Sequence, residues 1–165
     1  MAVALFAALG VAQGQAQTRL QKNFDKWIVA CVQPEGQSNQ FTLAQNFEGQ
    51  NQKTGQRFFA FSWSIAADPE GERKVRLRTP LGVKLIDKIS IQFPGSDPLA
   101  VDYTVCTNIG CFAEFTFQKV WFRMLTENPT VTISYMLIND RKIDVKMELA
   151  GFSDAYAYFI ETSKQ

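Results

Sequence analysis

The hydrophobic pattern of the chain changes character along its length. Met1 to Ala12 (MAVALFAALGVA) is an unbroken, uncharged apolar run. From Asp25 onward, apolar residues come instead in short β-branched and aromatic bursts separated by turn residues. Near residue 118 the spacing lengthens for one stretch toward 3.6, and it does so again after 153.

The bursts read as strands. Asp25 to Val32 (DKWIVACV) is the first, ended by Pro34-Glu35-Gly36. Phe41 to Phe47 and Arg57 to Ile65 are the next two, separated by the polar stretch from Gly49 to Gly55. In the second of these, alternation puts Phe59, Phe61 and Trp63 on one face, with Phe58 and Ala60 on the other. Ala67 to Gly71 is a turn. Lys74-Val75-Arg76-Leu77-Arg78 then alternates cleanly, as a half-buried strand with a cationic outer face does. Pro80-Leu81-Gly82 breaks it. Val83 to Ile86 and Lys88 to Phe93 follow as short strands, closed by the turn from Pro94 to Pro98. Val101 to Cys106 and Cys111 to Phe117 pair as a hairpin. Gln118 to Thr126 is a short helix ended by Asn128-Pro129. Thr130 to Ile138 and Lys142 to Leu149 are strands joined at Asn139-Asp140. Ser153 caps a final helix running to about Thr162, with Asp154 in its first turn. Many short strands without a βαβ rhythm define an all-β domain, a sandwich or a barrel.

The leading apolar run falls short of the ~20 residues a spanning helix needs, and matches the core of a signal peptide. Gly14 and Ala16 place small residues where a signal peptidase reads, so cleavage is expected after Ala16, with Ala12 as the second choice. No Lys or Arg precedes the run, a departure from the usual signal pattern, and a core helix or a retained anchor are the other readings. The expected organisation is a signal at 1–16, a Gln-rich flexible segment at 17–23 and one domain at 24–165, with no membrane span in the mature chain.

Composition narrows the function. The 165 residues carry 17 Lys and Arg against 16 Asp and Glu, a net charge of +1, with 46% hydrophobic residues. That length buries roughly two thirds of its unfolded surface, enough for one real core. Balanced charge and export give no basis for binding nucleic acid. The chain has no histidine. Serine–histidine and cysteine–histidine catalysis and imidazole metal sites are therefore impossible. The carboxylates Asp87, Asp102, Glu114, Glu127, Asp140 and Asp144 are scattered, and no phosphate loop, calcium loop or zinc spacing is present. The expectation is a non-enzyme without cofactor or metal.

The three cysteines fit an oxidising compartment. Cys106 and Cys111 stand four residues apart, which is not redox or zinc spacing, and a disulfide across a tight turn at Asn108 and Gly110 is the simpler use. Closing so short a loop adds only about 2 kcal/mol. A thiol–disulfide switch is the alternative. Cys31, amid Trp27-Ile28-Val29-Ala30 and Val32, reads as a buried, inert free thiol.

Several segments together resemble the invasion-associated locus B family of bacterial envelope proteins. They are Phe24-Asp25-Lys26-Trp27-Ile28-Val29-Ala30-Cys31, Thr79-Pro80-Leu81-Gly82-Val83-Lys84-Leu85, the Cys106 to Cys111 unit with Gly110-Cys111-Phe112-Ala113, and Leu149-Ala150-Gly151-Phe152-Ser153-Asp154-Ala155. Each motif is weak alone, and their order and spacing are moderately specific. The resemblance covers about Phe24 to Phe159. It implies an immunoglobulin-like β-sandwich, a periplasmic or outer-membrane location, a link to host-cell invasion in pathogenic members, and no enzymatic activity. It also implies the Cys106–Cys111 bridge. The family usually has a second cysteine shortly after the first, and Phe41 occupies that place here, which leaves Cys31 unpaired.

The strongest electrostatic feature is the run Arg73, Lys74, Arg76, Arg78, Lys84 and Lys88, with Glu72 and Asp87 among them. Lys74, Arg76 and Arg78 form a stripe suited to an anionic cell-surface component or an acidic envelope or host protein. The plainer reading is a solvated strand face that discourages edge pairing. The aromatic residues Phe58, Phe59, Phe61, Trp63, Trp121 and Phe122 read as core, and Tyr156, Tyr158 and Phe159 as the docking face of the last helix. An aromatic groove for a small ligand or chaperone client is the second functional reading.

Overall fold

The computed structural model describes residues 17–33, 39–50, 54–67 and 71–164. The expected signal, the Pro34–Gly36 turn and the centre of the Ala67–Gly71 turn lie outside the described residues. One antiparallel sheet contains β1 (Gln17–Phe24), β2 (Trp27–Gln33), β3 (Gln40–Gln50), β4 (Arg57–Ala67), β5 (Arg73–Thr79), β8 (Val105–Thr107) and β9 (Gly110–Thr116). Its order is β1-β2-β3-β4-β5-β9-β8. The second sheet contains β6 (Ile89–Gln92), β7 (Leu99–Val101), β10 (Thr130–Met136) and β11 (Lys142–Glu148), in the order β11-β10-β6-β7. Helices α1 (Lys119–Glu127) and α2 (Phe152–Thr162) complete the described elements.

Period-two burial builds the sandwich. Val29, Leu43, Ile65 and Val75 are neighbours in register across β2 to β5 and are fully buried. Ile89, Ile91, Val131, Ile133 and Met147 face them from the smaller sheet, in the same apolar cluster. Burying each such side chain contributes about 1.5–3 kcal/mol against the entropy of ordering it. The fold is the expected all-β sandwich, immunoglobulin-like in having two antiparallel sheets closed over one core.

Four strands cannot cover seven. Helix α2 takes the open part, over β1 to β3, burying Phe152, Ala155 and Phe159 on one face. Phe152 lies 5.0 Å from Trp27 and Tyr158 lies 5.5 Å from Phe24, ring centre to ring centre. Tyr156 packs on Phe117 and Phe122, so the last helix docks as its sequence implied. Helix α1 lies where 118–126 was expected, with Leu125 buried and Trp121 against Trp63, Phe93 and Phe115.

The chain departs from its local pattern at several places. Residues 17–23, expected to be a flexible tether, lie in strand β1, because the hydrogen-bonding edge of β2 accepts them in register. The expected strand at 83–86 is a single bridge, Val83 to Leu137, followed by a 3₁₀ turn at Leu85–Asp87. The expected strand at 101–106 is split, because Leu99–Val101 pairs with β6 and Val105–Thr107 pairs with β9. The chain changes sheets between them, and alternation cannot say which sheet a residue joins. Ser153 does not cap α2. The cap is Gly151 at φ 80, where a Cβ would stand 2.6 Å from the Phe24 carbonyl oxygen. In the disulfide hairpin the positive φ falls on Gly110, not on Asn108.

A bulge changes the aromatic face of β4. Phe47 pairs with Phe61 but Glu48 pairs with Phe59, leaving Ala60 as the extra residue. Phe61, Trp63 and Ala60 are therefore buried, and Phe59 leaves the face that simple alternation gave it. Phe58 is half exposed, its ring lying over Gly49.

Candidate contact surface

Strand β5 buries Val75, Leu77 and Thr79, which turns Lys74, Arg76 and Arg78 to the outer face of the large sheet. The stripe expected from the sequence thus exists as one row. Its place corrects one reading, because β5 lies between β4 and β9 and its cations guard no sheet edge.

The neighbouring strands set the electrostatics. Arg76 lies between Ser64 and Glu114 in register, forms an ion pair with Glu114, and sets its guanidinium 5.7 Å from the Phe112 ring. Lys74 lies 3.4 Å from Glu72. Arg78 stacks on Phe59 at 3.8 Å, and no acidic side chain among the described residues pairs with it. Ala44, Ser62, Ser64 and Ala66 are the neighbouring outward residues of β3 and β4, so short side chains border the row. Arg73 has the parity of buried Val75, while Lys84 pairs with Asp140 and Lys88 with Asp102. The six cations adjacent in sequence therefore separate, and three share a face. Sequence reasoning missed Glu114, Phe112 and Phe59 as partners of the row, since only cross-strand register brings them there.

The other sites fall elsewhere. Cys106 and Cys111 are register partners in the β8–β9 hairpin and are bridged, with Cα atoms 4.0 Å apart. Cys31 is buried, unbridged, and directly opposite Phe41 on β3. The candidate carboxylates do not converge. Asp102, Glu114, Glu127, Asp140 and Asp144 each lie against a different cation, Lys88, Arg76, Arg123, Lys84 and Lys142. Asp144 is held below the usual carboxylate range, chiefly by the Ser134 hydroxyl and then by Lys142. Among the described residues no group of three or more metal-ligating side chains is placed to hold an ion. The rings of Trp63, Phe115 and Trp121 lie within 4.5–6.1 Å of one another, edge-on where Trp63 meets the other two and tilted between Phe115 and Trp121, so they pack on each other.

A family model described as Invasion associated locus B (IalB) protein matches residues 27–159. The chain belongs to the IalB family. The crystal structure of invasion associated protein b from Bartonella henselae is similar, with a TM-score of 0.69 over 88% of this chain and 97% of that one. At 17% identity that likeness concerns the fold. A search of curated proteins returned no match. Phe41, half-buried against the core, stands directly opposite Cys31 in the β2–β3 register. No helix among the described residues is long and apolar enough to cross a membrane.

Proposed function

We propose that this IalB-family chain is a non-enzymatic, exported protein of the periplasm or outer membrane that works by contact. Its contact face is the outer face of the seven-stranded sheet, and its partner is an acidic protein or an anionic cell-surface component. The observation that carries this reading is the row Lys74, Arg76 and Arg78 on a central strand, with Arg78 stacked on Phe59 and matched by no acid among the described residues. An arginine whose charge is uncompensated at a half-buried position gains most when an anionic group approaches. The family and the disulfide support export, and the lack of histidine leaves out imidazole catalysis. A contribution to host-cell invasion or to envelope integrity belongs to the same proposal.

Affinity capture from envelope extracts tests it, with the wild type beside an Arg76→Glu/Arg78→Glu variant of unchanged circular dichroism. Affinity for the captured partner is expected to fall about tenfold or more, equivalent to ~1.4 kcal/mol. Equal capture by both chains overturns the assignment.

A further inference from the structure

Among the described residues the two sheets end on β1, β8, β11 and β7, and these edges are not alike. β7 and β8 are three residues long, and β1 is broken by a bulge between Thr18 and Leu20. β11 runs seven residues, Lys142–Glu148, in unbroken register with β10. Just beyond its two ends, the Leu149 N–H donates to the Pro129 carbonyl and the Leu137 N–H to the Arg141 carbonyl. The two-residue period of an antiparallel ladder therefore turns the odd-numbered backbone groups of β11 toward β10. The N–H and C=O groups of Lys142, Asp144, Lys146 and Glu148 point the other way, where no described strand meets them. The side chains of these four residues are exposed and alternate in sign along the strand. Lys142 and Asp144 lie 3.0 Å apart as an ion pair. Lys146 and Glu148 stand beside Thr132 and Thr130 on β10, and neither has an oppositely charged partner among the described residues.

We propose that β11 is a homodimer edge, pairing antiparallel with β11 of a second copy about a two-fold axis at Val145. Charged residues on an edge strand ordinarily keep other strands away. Here the charges are antisymmetric about Val145, so reversing the strand opposes Lys142 to Glu148 and Asp144 to Lys146. Both are hydrogen-bonded pairs, and together they use every outward backbone group of the strand. Opposite charges directly across a strand pair stabilise it, and like charges destabilise it. The same rule fixes the register. Sliding one copy by two residues in either direction sets Lys146 against Lys142 or against its own counterpart. It also sets Asp144 against its own counterpart or against Glu148. On the inner face the proposed register opposes Ile143 to Met147 and Val145 to Val145, so the apolar faces of the two small sheets continue into each other. Because β5 lies in the other sheet, the row Lys74, Arg76 and Arg78 stays open.

Sedimentation velocity over a dilution series of the full chain tests the inference. A reversible monomer–dimer equilibrium is expected, weakening as salt is raised because the opposed charges are exposed. Lys142→Glu and Glu148→Lys each put like charges at both symmetry-related contacts, and each alone should raise the dimer dissociation constant about tenfold or more. Mixed together, the two variants carry opposite charges at both contacts, and a heterodimer of near wild-type affinity should form. Lys146→Glu, beside uncharged Thr132, should weaken the dimer in the same way and replaces either variant that fails to give the wild-type circular dichroism. A chain that is monomeric at every concentration overturns the inference. So does self-association that the single variants leave intact, which would move the contact to another surface. Losses that mixing does not restore overturn it too, since they would reflect damage to each chain and not the opposed charges.

Discussion

The Tyr135 hydroxyl donates a 2.7 Å hydrogen bond to the Ala60 carbonyl across the gap between the two sheets. Ala60 is the extra residue of the β4 bulge and has no register partner on β3, so a side chain from the opposite sheet meets its carbonyl. Tyr135→Phe leaves that buried acceptor unmatched, at an expected cost of about 1–2 kcal/mol in chemical denaturation. Burial, helped by Tyr103 and opposed by Arg141, pushes the Tyr135 phenol up to about 12. The neutral form is thus favoured in the folded chain. Its contribution is complete below the unfolded tyrosine pKa of about 10 and is lost as pH rises from there through 12. Burial also raises Tyr103, so alkaline titration followed by phenolate absorbance should show late absorbance that Tyr135→Phe reduces by one phenol, and an undiminished late step in the variant would contradict the assignment. None of this was legible in sequence. Tyr135 and Ala60 are 75 residues apart, and a bulge leaves no local signature beyond the alternation it breaks.

At the scale of elements, the β2–β3 pair was the most legible, because apolar alternation, aromatic content and flanking turn residues all agreed. Its register was not. Only pairing places Cys31 opposite Phe41, and opposed residues on antiparallel strands have Cα atoms about 4.5–5.5 Å apart, within disulfide reach. Phe41→Cys is therefore expected to form a second bridge. Alkylation of the denatured, unreduced chain followed by mass spectrometry should label one cysteine in the wild type and none in Phe41→Cys. Three labels in the wild type would contradict the Cys106–Cys111 bridge. The new bridge should add less than the roughly 3 kcal/mol of chain-entropy stabilisation for such a loop, since the packing of Phe41 is lost with it.

For the whole molecule, the mismatch of seven strands against four decides the outline. Helix α2 packs on β1 to β3 as a structural lid, and its entry sits close to the β1–β2 turn. Gly151 makes that entry possible through its left-handed φ and the lack of a Cβ beside the Phe24 carbonyl. Gly151→Ala should cost at least the ~1–2 kcal/mol of a left-handed non-glycine residue, with the clash added. A melting temperature within a degree of wild type would show that α2 is not tied down there. Lys22, 4.3 Å from the Tyr158 ring, helps to hold β1 to the same helix.

What the residues determine alone is the strand-rich character, the two helices, the hairpin bridge, the cationic row on one face and the exclusion of imidazole chemistry. These follow from period, turn chemistry, cysteine spacing and composition, all properties of neighbours along the chain. Tertiary structure decided the rest. It chose which sheet Leu99–Val101 and Val105–Thr107 join, and matched Arg76 with Glu114 while leaving Arg78 to Phe59. Each of these is a pairing between residues far apart in sequence. Such pairings are fixed by register and by the need to bury complementary faces together, neither of which a local pattern contains.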